Sequence, residues 1–463
     1  MANPWYRDPV QWTPEALAHD CGGTLIKGGE TPIASAFIDS RNPVPGGLFV
    51  PIVAERDGHD FIASAIEGGA AAVLVQRGKT IPSAAVTVVE VEDTLAAFTR
   101  LATRRCATFD GPVVTISGSN GKTTTRAMVA AVLGAGFSSV LCTQGNLNNH
   151  LGVPLTVLGT PHQPDAMVIE LGMSAPGEND ALAAIANPLA HVITSVALEH
   201  LEFMKTIEAI AAAEAEPVVR VRKGGCVVLP VDEPLLTPHV QGAHADLLRF
   251  GGEESCDVQI LDVEVGARTK ATIRVGPHAP VAVSLQLFGA HNARNAAAAL
   301  AIGHRFGVPL DAMVQALEAV QPVGDRGRTM SWGDTIVVAD CYNSNPGSVE
   351  VALQSLAALA VDGPKVAVLG DMLELGPRET ELHAAVGQRA AQLGLSSVLA
   401  FGPLSAATAD AARAAGLDAE HCASIEALHE AVRARFDGVA PGAVLIKGSR
   451  GMKLERLLSA LMP

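Results

Sequence analysis

The chain has 463 residues, of which 48% are hydrophobic and 17% charged, a composition typical of globular proteins rather than disordered ones. At roughly 100–200 residues per domain, this length allows two to four domains, and we expect three. Acidic residues outnumber basic ones, 48 to 33, and the formal net charge of −15 argues against general binding to nucleic acids or anionic membranes.

The cysteines and the apolar runs indicate the compartment. Seven cysteines occur, an odd number, and none forms a CxxC pair, which argues against a disulfide framework and a zinc ribbon. The first twelve residues, MANPWYRDPVQW, contain no apolar signal segment, and no apolar run reaches about 18 residues. We therefore expect a cytoplasmic protein with free thiols and no membrane span.

The first region, 1–108, has short apolar runs separated by glycine and proline. Residues 46–53 and 70–75 are predicted as strands, and residues 60–70 as a helix that ends at two glycines. A longer helix then leads to a boundary near residues 109–112. This pattern predicts a smaller N-terminal α/β domain.

The second and third regions alternate strands with helices, which is typical of a mostly parallel sheet covered on both faces. In the second region, 109–320, the strands are 113–117, 166–173 and 190–198, an antiparallel appendage is expected over 225–290, and a helix follows at 291–307. In the third region, 321–463, strands at 335–342, 365–372, 397–402 and 443–449 alternate with helices at 347–361, 378–394, 405–415 and 424–437. We predict an α/β fold of three domains, with a Rossmann-like third domain.

A glycine-rich turn between a predicted strand and helix has the composition of a phosphate-binding loop. It reads Gly118-Ser119-Asn120-Gly121-Lys122-Thr123. In such a loop backbone N–H groups surround a phosphate, the lysine reaches the β- and γ-phosphates, and the hydroxyl binds Mg²⁺. The alternative is an ordinary glycine-rich turn. No NKxD tetrapeptide of a guanine site occurs, so ATP is favoured over GTP.

Two side chains follow neighbouring strands and suit a metal or a phosphoryl group. Glu170 ends the strand after the loop, where a carboxylate can hold the bridging Mg²⁺. His200 follows the next strand, and imidazole can bind a metal or a phosphoryl oxygen. A solvated acid and a surface histidine are the alternatives. Glu199 and Glu202 flank the histidine and are expected to be solvated or orienting.

Together these motifs resemble the Mur ligase family, the ATP-dependent amide-forming enzymes of peptidoglycan synthesis, in which the loop has the shorter GxxGKT form. The resemblance extends over nearly the whole chain and favours the branch that adds D-alanyl-D-alanine. The segments that carry it are IDSR (38–41), GNLNNHLGVPLT (145–156), VIELGMSAPGE (168–178), GAHNARNAAAA (289–299), DCYNSNPGSV (340–349), GDMLELG (370–376) and KGSRGMKLE (447–455).

The resemblance implies a monomer whose first domain binds the UDP end, whose second binds ATP with two Mg²⁺ ions, and whose third closes with the amine. A carboxylate of UDP-N-acetylmuramoyl-tripeptide would attack the γ-phosphate of ATP, and D-alanyl-D-alanine would then attack the acyl phosphate. Attack of one anion on another needs dense positive charge and close positioning, which fits a lysine-bearing loop and closing domains.

The resemblance also implies roles for individual residues, with Lys122, Glu170 and His200 as the catalytic set. The predicted ATP-binding residues are Gly118, Ser119, Asn120, Gly121, Lys122, Thr123, Thr124, Asn295, Arg328 and Asp340. The predicted metal-binding residues are Thr123, Glu170, His200 and Glu214. The predicted substrate-binding residues are Ser40, Arg41, Asp57, His59, Asn146, Asn148, Asn149, Asn343, Asn345, Lys447 and Arg450. A strand-end cap and a helix-surface amide are the alternatives for Asp340 and Asn295.

The chain departs from the family pattern at several positions. Glu214 stands where the family has a lysine that is carbamylated and reaches a metal; a glutamate is shorter, and a solvated helix face is an equal alternative. Lys205 is an added cation without an assigned role. Arg326 and Arg328 compete for one phosphate contact, and the stretch AERDGHDF is one residue short.

These departures leave two other functions open. One is a paralogue with the same chemistry on a different acid and amine. The other is a non-catalytic nucleotide-binding scaffold, against which the intact loop, acid and histidine argue.

Overall fold

The computed structural model describes residues 11–160 and 162–462, and its chain forms three α/β units, each built on its own sheet. The elements of the first unit are α1 (Pro14–Cys21), β1 (Thr24–Lys27), β2 (Ala36–Phe37), β3 (Leu48–Phe49), α2 (Ile62–Glu67), β4 (Ala72–Gln76), β5 (Thr87–Val91) and α3 (Thr94–Ala107). The sheet order is β1-β5-β4-β3-β2, with only β1 antiparallel to its neighbour. Asp93 caps α3 by accepting from the N–H of Ala96 at 2.7 Å.

The middle unit contains a nine-stranded sheet. Its elements are β6 (Val113–Ser117), α4 (Lys122–Gly134), β7 (Val140–Cys142), α5 (Gly152–Leu158), β8 (Ala166–Glu170), α6 (Glu178–Ala186), β9 (Ala190–Ile193), α7 (Leu201–Met204), α8 (Ile207–Ala215), β10 (Cys226–Pro230), α9 (Thr237–Val240), β11 (Asp246–Gly251), β12 (Val258–Val265), β13 (Thr269–Val275), β14 (Val281–Leu285), α10 (His291–Arg305) and α11 (Leu310–Ala319). The order β14-β13-β12-β11-β10-β9-β6-β8-β7 places β6 between β9 and β8.

The predicted antiparallel appendage over 225–290 is wrong in its first half. Strands β10 and β11 pair in parallel with β9, with each other and with β12, so they extend the central sheet. Only β12, β13 and β14 form antiparallel pairs. The two parallel strands are joined by a short crossover that contains the four-residue α9, which a sequence pattern does not distinguish from a hairpin connection.

The last unit is a six-stranded sheet with helices on both faces. Its elements are β15 (Arg328–Trp332), β16 (Thr335–Asp340), α12 (Pro346–Ala358), β17 (Lys365–Gly370), α13 (Glu379–Gln392), β18 (Ser397–Phe401), α14 (Ala406–Ala414), β19 (Asp418–Cys422), α15 (Ile425–Phe436), β20 (Ala443–Lys447) and α16 (Glu455–Leu461). The order is β15-β16-β20-β17-β18-β19, and only β15 is antiparallel to its neighbour. The predicted α/β fold, with mostly parallel middle and last sheets, is confirmed, and the first sheet, for which no strand direction was predicted, is also mostly parallel.

Several predicted elements are shorter than expected. The strand predicted over 46–53 is reduced to Leu48–Phe49, and the helix predicted over 60–70 is a 3₁₀ turn, Gly58–Phe61, followed by α2. The extended proline- and glycine-rich segment around β3 offers few paired backbone groups, which limits the strand. The short edge strands β7, β15 and β19 were not predicted.

Apolar contacts join the three units. Phe98 and Leu101 of α3 share a buried cluster with Val153 and Val157 of α5, and Leu201 of α7 shares another with Met372 and Leu375 of the last unit. Burying these side chains away from water stabilises both junctions. In the described part of the chain no helix is long and apolar enough to cross a membrane, and all seven cysteines are free.

Candidate active site

The carboxyl ends of three adjacent parallel strands meet at one edge of the middle sheet. The phosphate loop follows β6, Glu170 ends β8, and the segment 194–200 follows β9. In open α/β sheets this edge is where ligands bind. Here it opens into a cavity of about 800 Å³ between the middle and last units.

Most of the predicted site residues line this cavity. They are Ser119, Asn120, Gly121, Lys122, Thr123, Thr124, Asn146, Asn148, Asn149, Glu170, His200, Asn295, Asp340, Asn343 and Lys447. They come from distant parts of the chain, and the sheet topology brings them together.

Two glycines allow the phosphate loop to turn tightly. Gly118 and Gly121 have φ values of 122° and 84°, in the region that favours glycine. A Cβ at Gly118 would lie 2.1 Å from Oγ1 of Thr194, and one at Gly121 would lie 2.6 Å from Oδ1 of Asn295. Helix α4 begins directly after Gly121, so its N-terminus faces the cavity.

Lys122 lies among carboxylates. Its Nζ donates to the backbone oxygen of Gly118. Burial acts to lower the pKa of Lys122, but Glu199, Glu214 and Glu170 act in the opposite direction, and the pKa is raised overall. The side chain therefore stays a cation beside the position where the loop would hold phosphates.

Glu170 and Thr123 provide oxygen ligands on the floor of the cavity. Thr123 Oγ1 donates to Oε1 of Glu170 at 3.3 Å, and Nδ2 of Asn148 donates to the same oxygen at 2.9 Å. Oε2 of Glu170 makes no hydrogen bond within the described residues and lies 3.1 Å from Nη1 of Arg126. A hydroxyl and a carboxylate whose Oε2 accepts no hydrogen bond among the described residues suit Mg²⁺, so these residues fit such an ion.

A second metal position is not preassembled. Among residues 11–160 and 162–462, no group of three or more histidine, cysteine or acidic side chains is arranged to hold a metal ion. His200 Nε2 lies 3.9 Å from Oε2 of Glu199, while its Nδ1 lies 2.6 Å from Oε2 of Glu374 in the last unit. The histidine thus has one nitrogen on the cavity side and the other held across the junction.

Glu214 lies beneath the loop rather than on the cavity wall. It is 1% exposed, and its Oε2 accepts from the N–H of Gly118 at 2.7 Å and from Nδ2 of Asn179 at 3.2 Å. Its neighbour Glu199 is buried on the cavity wall, where burial raises the pKa of the carboxyl, Lys122 lowers it and Glu214 raises it further. The placement of Glu214 gives it a loop-holding contact, and the metal contact predicted for it remains a prediction.

The last unit contributes polar side chains to the opposite wall. Lys447 Nζ donates to Oδ2 of Asp340 at 2.8 Å and to the backbone oxygen of Asn343 at 3.0 Å. Arg326 lies on the same wall, with its guanidinium 3.8 Å from the ring centroid of Tyr342, and burial lowers its pKa. These groups face the phosphate loop across the cavity.

The positions of Arg326 and Arg328 distinguish the two candidates for the phosphate contact. Arg326 lines the cavity, whereas Arg328 begins β15 and its guanidinium donates to Oδ1 of Asp325 at 2.7 Å. The structure thus places the predicted phosphate contact Arg328 outside the cavity, where it begins the edge strand β15, whereas Arg326 lies in the segment before that strand. Arg450 also lies outside, paired with Glu455 at 3.5 Å.

The four predicted residues of the first unit do not reach this cavity. Arg41 is exposed and donates to its neighbour Asp39, and Ser40 lies beside it. Nδ1 of the largely buried His59 donates to Asp57 at 2.6 Å, and Nε2 accepts from the N–H of Gln76 at 3.0 Å. Both ring nitrogens of His59 are thus used inside the unit, which leaves no free nitrogen for a ligand.

Sequence reasoning missed several residues of the cavity. Glu199 was expected to be solvated, yet it is 5% exposed. His291 lines the cavity with an Nδ1 that has no hydrogen-bond partner among the described residues, and burial lowers its pKa. Arg126 does not line the cavity but pairs with Glu170, and as the sole charged residue after Lys122 on the apolar helix α4 it could have been found from its position.

Comparisons with known proteins agree with this arrangement. The Mur ligase middle domain matches residues 116–303, and the Mur ligase glutamate ligase domain matches residues 325–450. The UDP-N-acetylmuramoyl-tripeptide–D-alanyl-D-alanine ligase of Bacillus subtilis is 34% identical over 98% of this chain and 99% of its own. The chain belongs to the Mur ligase family. The family predicted from the motifs is confirmed, and with it the class of enzyme, an ATP-dependent ligase that forms a C–N bond.

Other Mur ligases resemble the chain over nearly its whole length. The UDP-N-acetylmuramoyl-tripeptide–D-alanyl-D-alanine ligase of Escherichia coli is 33% identical over 94% of this chain and 95% of its own. The crystal structure of MurF from Acinetobacter baumannii superposes with a TM-score of 0.89 at 27% identity, covering 98% of this chain and 100% of that one. MurF from Thermotoga maritima in complex with ADP gives a TM-score of 0.81 at 28% identity over 92% and 96% of the two chains.

Proposed function

We propose that this Mur ligase joins D-alanyl-D-alanine to UDP-N-acetylmuramoyl-tripeptide at the expense of ATP, in the synthesis of peptidoglycan precursors. Relatives that carry this activity in their names match the chain from end to end, so all three units have counterparts in them. The observation that carries the proposal is the convergence of the phosphate loop, Glu170 and His200 at one edge of the middle sheet, facing Asp340 and Lys447.

The geometry supports the first chemical step, transfer of the γ-phosphoryl group to a substrate carboxylate. The N–H groups at the start of α4 and the ammonium of Lys122 would neutralise phosphate charge, which lets an anionic carboxylate approach. Thr123 and Glu170 would hold Mg²⁺, which supplies further positive charge between the phosphates. A second Mg²⁺ would need His200 and nearby carboxylates to move together.

The last unit would position the nucleotide and then the amine. Asp340 and Asn295 suit the ribose and adenine side, and the phosphate contact falls to Arg326 because of its place on the cavity wall. Attack of the D-alanyl-D-alanine amine on the acyl phosphate then forms the amide and releases phosphate. Asn343, Lys447 and Asn146 line the cavity and would contact these substrates there.

We further propose three domains with separate binding roles. Residues 1–108 would bind the UDP end of the substrate, residues 109–320 would bind ATP, and residues 321–463 would bind the amine. Ser40 and Arg41 remain candidates for the UDP end. Asp57 and His59 would act there only by holding their own segment, since their mutual bond already uses the histidine. We further propose that the protein acts as a monomer in the cytoplasm, where both ATP and UDP-N-acetylmuramoyl-tripeptide occur.

A phosphate-release assay with ATP, UDP-N-acetylmuramoyl-tripeptide and D-alanyl-D-alanine tests the activity. We expect turnover with all three substrates and a loss of at least about a hundredfold in Lys122→Ala, since a charge-assisted contact at the transferred phosphate is removed. Lys205→Ala, which removes the exposed lysine after α7, is the matched control and should retain activity. No turnover with this pair, or equal loss in both variants, would refute the proposal.

A second candidate function follows from Glu214. Because this glutamate replaces the family's carbamylated lysine, the chain also suits a ligase with the same chemistry on another acid and amine. Phosphate release only with other acid and amine pairs would support it.

A further inference from the structure

The junction between the middle and last units concentrates unusual backbone conformations. Five non-glycine residues in the described chain have positive φ, and three of them lie here: His200 at 48°, Lys205 at 65° and Glu374 at 63°. His200 and Lys205 bracket the four-residue helix α7, and Glu374 lies in the loop after β17. Backbone strain of this kind is kept where the surrounding structure fixes it, often at functional sites.

Two of these residues contact each other across the junction. Nδ1 of His200 lies 2.6 Å from Oε2 of Glu374, and the N–H of Glu202 reaches the backbone oxygen of Glu374 at 3.5 Å. The side chains are 24% and 53% exposed, so the contact lies at the rim of the cavity. Behind it Leu201, Met204, Met372 and Leu375 pack in one buried cluster, which holds the two backbone segments together.

The contact determines the state of the imidazole. A carboxylate oxygen accepts hydrogen bonds, so the proton of a neutral His200 ring lies on Nδ1 and the lone pair on Nε2. Nε2 is the nitrogen on the side of Glu199 and the cavity. A carboxylate that holds the far nitrogen of a ligating histidine in this way fixes both its tautomer and its orientation.

We propose that Glu374 of the last unit is a positioning residue for His200, and that docking of the last unit is what presents Nε2 of His200 to the cavity. This inference rests on the proposed function for the role of His200, but the state of the ring can be measured without turnover. The acceptor for Nδ1 thus comes from the loop 371–376 of the last unit, whereas His200 follows a strand of the middle sheet.

The first test measures the tautomer by ¹⁵N NMR of histidine-labelled protein at a pH where the ring is neutral, with His200→Gln used to assign the signal. We expect the Nδ1–H form in the native chain and in Glu374→Gln, whose amide oxygen still accepts. In Glu374→Ala we expect a shift to the Nε2–H form, which neutral imidazole prefers in water. An unchanged tautomer in Glu374→Ala would overturn the proposal.

The second test measures binding of Mn²⁺ with ADP by titration calorimetry. We expect Glu374→Ala to weaken binding by about tenfold or more, as for other residues that orient a metal-binding histidine, and Glu374→Gln to restore most of it. Glu381→Ala, which breaks an exposed pair with Arg378 nearby, is the control and should bind normally. Equal Mn²⁺ affinity in Glu374→Ala and the native chain would overturn the proposal, whereas absence of turnover in native protein would instead overturn the proposed function.

Discussion

Nδ2 of Asn345 donates a hydrogen bond of 2.9 Å to Oδ1 of Asn120, so a side chain of the last unit contacts the phosphate loop directly. The same asparagine caps α12, because its Oδ1 accepts from the N–H of Ser348 at 2.8 Å. One amide therefore fixes the start of a helix in one unit and the conformation of a ligand-binding loop in another. We therefore expect nucleotide binding and docking of the last unit to be coupled through it.

The variant Asn345→Asp separates the cap of α12 from the contact with the phosphate loop. The aspartate keeps the capping oxygen, so the melting temperature should change little. It places a negative charge beside the phosphate loop and removes the amide donor, so we expect the KM for ATP to rise about tenfold. Asn345→Ala should raise KM and also lose about 1 kcal/mol of stability with the cap. An unaltered KM in both variants, measured by steady-state kinetics, would contradict the coupling.

The two arginines before and at the start of β15 form a matched pair. Arg326→Ala removes a half-buried guanidinium on the cavity wall, and loss of a charge-assisted contact of about 1.5–3 kcal/mol corresponds to a loss of roughly 10- to 100-fold in kcat/KM for ATP. Arg328→Ala removes only an exposed pair with Asp325 and should stay within about twofold of the native value. A larger loss of kcat/KM in Arg328→Ala than in Arg326→Ala would show that Arg328 makes the phosphate contact.

Glu214 separates a loop-holding role from a metal-binding one. Glu214→Gln keeps an oxygen that accepts from Gly118, so we expect an almost native KM for ATP and an unchanged Mg²⁺ activation curve. Glu214→Ala leaves the Gly118 N–H without that acceptor and should raise the KM for ATP about tenfold, as expected for loss of a buried hydrogen bond. Activity should not depend on bicarbonate, since no lysine occupies this position.

If Glu214→Gln instead needed more Mg²⁺ than the native chain for the same activity, Glu214 would have a metal-binding role. That result would support the metal contact that the resemblance to the family implies for Glu214, because the amide preserves the loop contact and removes only the charge. Titrating Mg²⁺ at saturating ATP distinguishes the two roles.

The sequence predicts the middle of the fold better than its edges. Strands β6, β8 and β9 are apolar and end at chemically distinct residues, so the phosphate loop and Glu170 could be placed before the structure was known. The burial of Glu199 could not be predicted, because the segment 199–202 begins and ends with a glutamate and so has the composition of a surface turn. The neighbours of Glu199 are Ser119, Lys122 and Glu214, which the middle sheet brings to it from distant positions of the chain, and no local pattern encodes that placement.

The pairings across units were unpredictable for the same reason. Asn120 with Asn345 and His200 with Glu374 involve residues whose local sequences suggest only turns and caps. Arg326 and Arg328 show the limit at short range, since their placement depends on where β15 begins, and an edge strand of this length gives little signal.

His191 connects the stability of the middle sheet to pH. It is fully buried in β9, with Nδ1 2.9 Å from Oγ1 of Thr115 and Nε2 3.2 Å from Oγ of Ser117, and burial lowers its pKa to about 3 from the usual 6.5. Between these values the unfolded chain binds a proton that the folded chain does not. The free energy of unfolding therefore falls as pH drops below about 6.5, by up to about 1.4 kcal/mol per pH unit from this group.

His191→Gln removes the titrating ring and retains groups that can bond to Thr115 and Ser117. We expect its free energy of unfolding to be less dependent on pH than that of the native chain between about pH 6.5 and pH 4.5, even if its value at neutral pH is lower. Calorimetry across this range checks the slope, with His239→Gln at an exposed position as the control. Parallel curves for the native chain and His191→Gln would mean that the buried ring is not what makes the fold sensitive to acid.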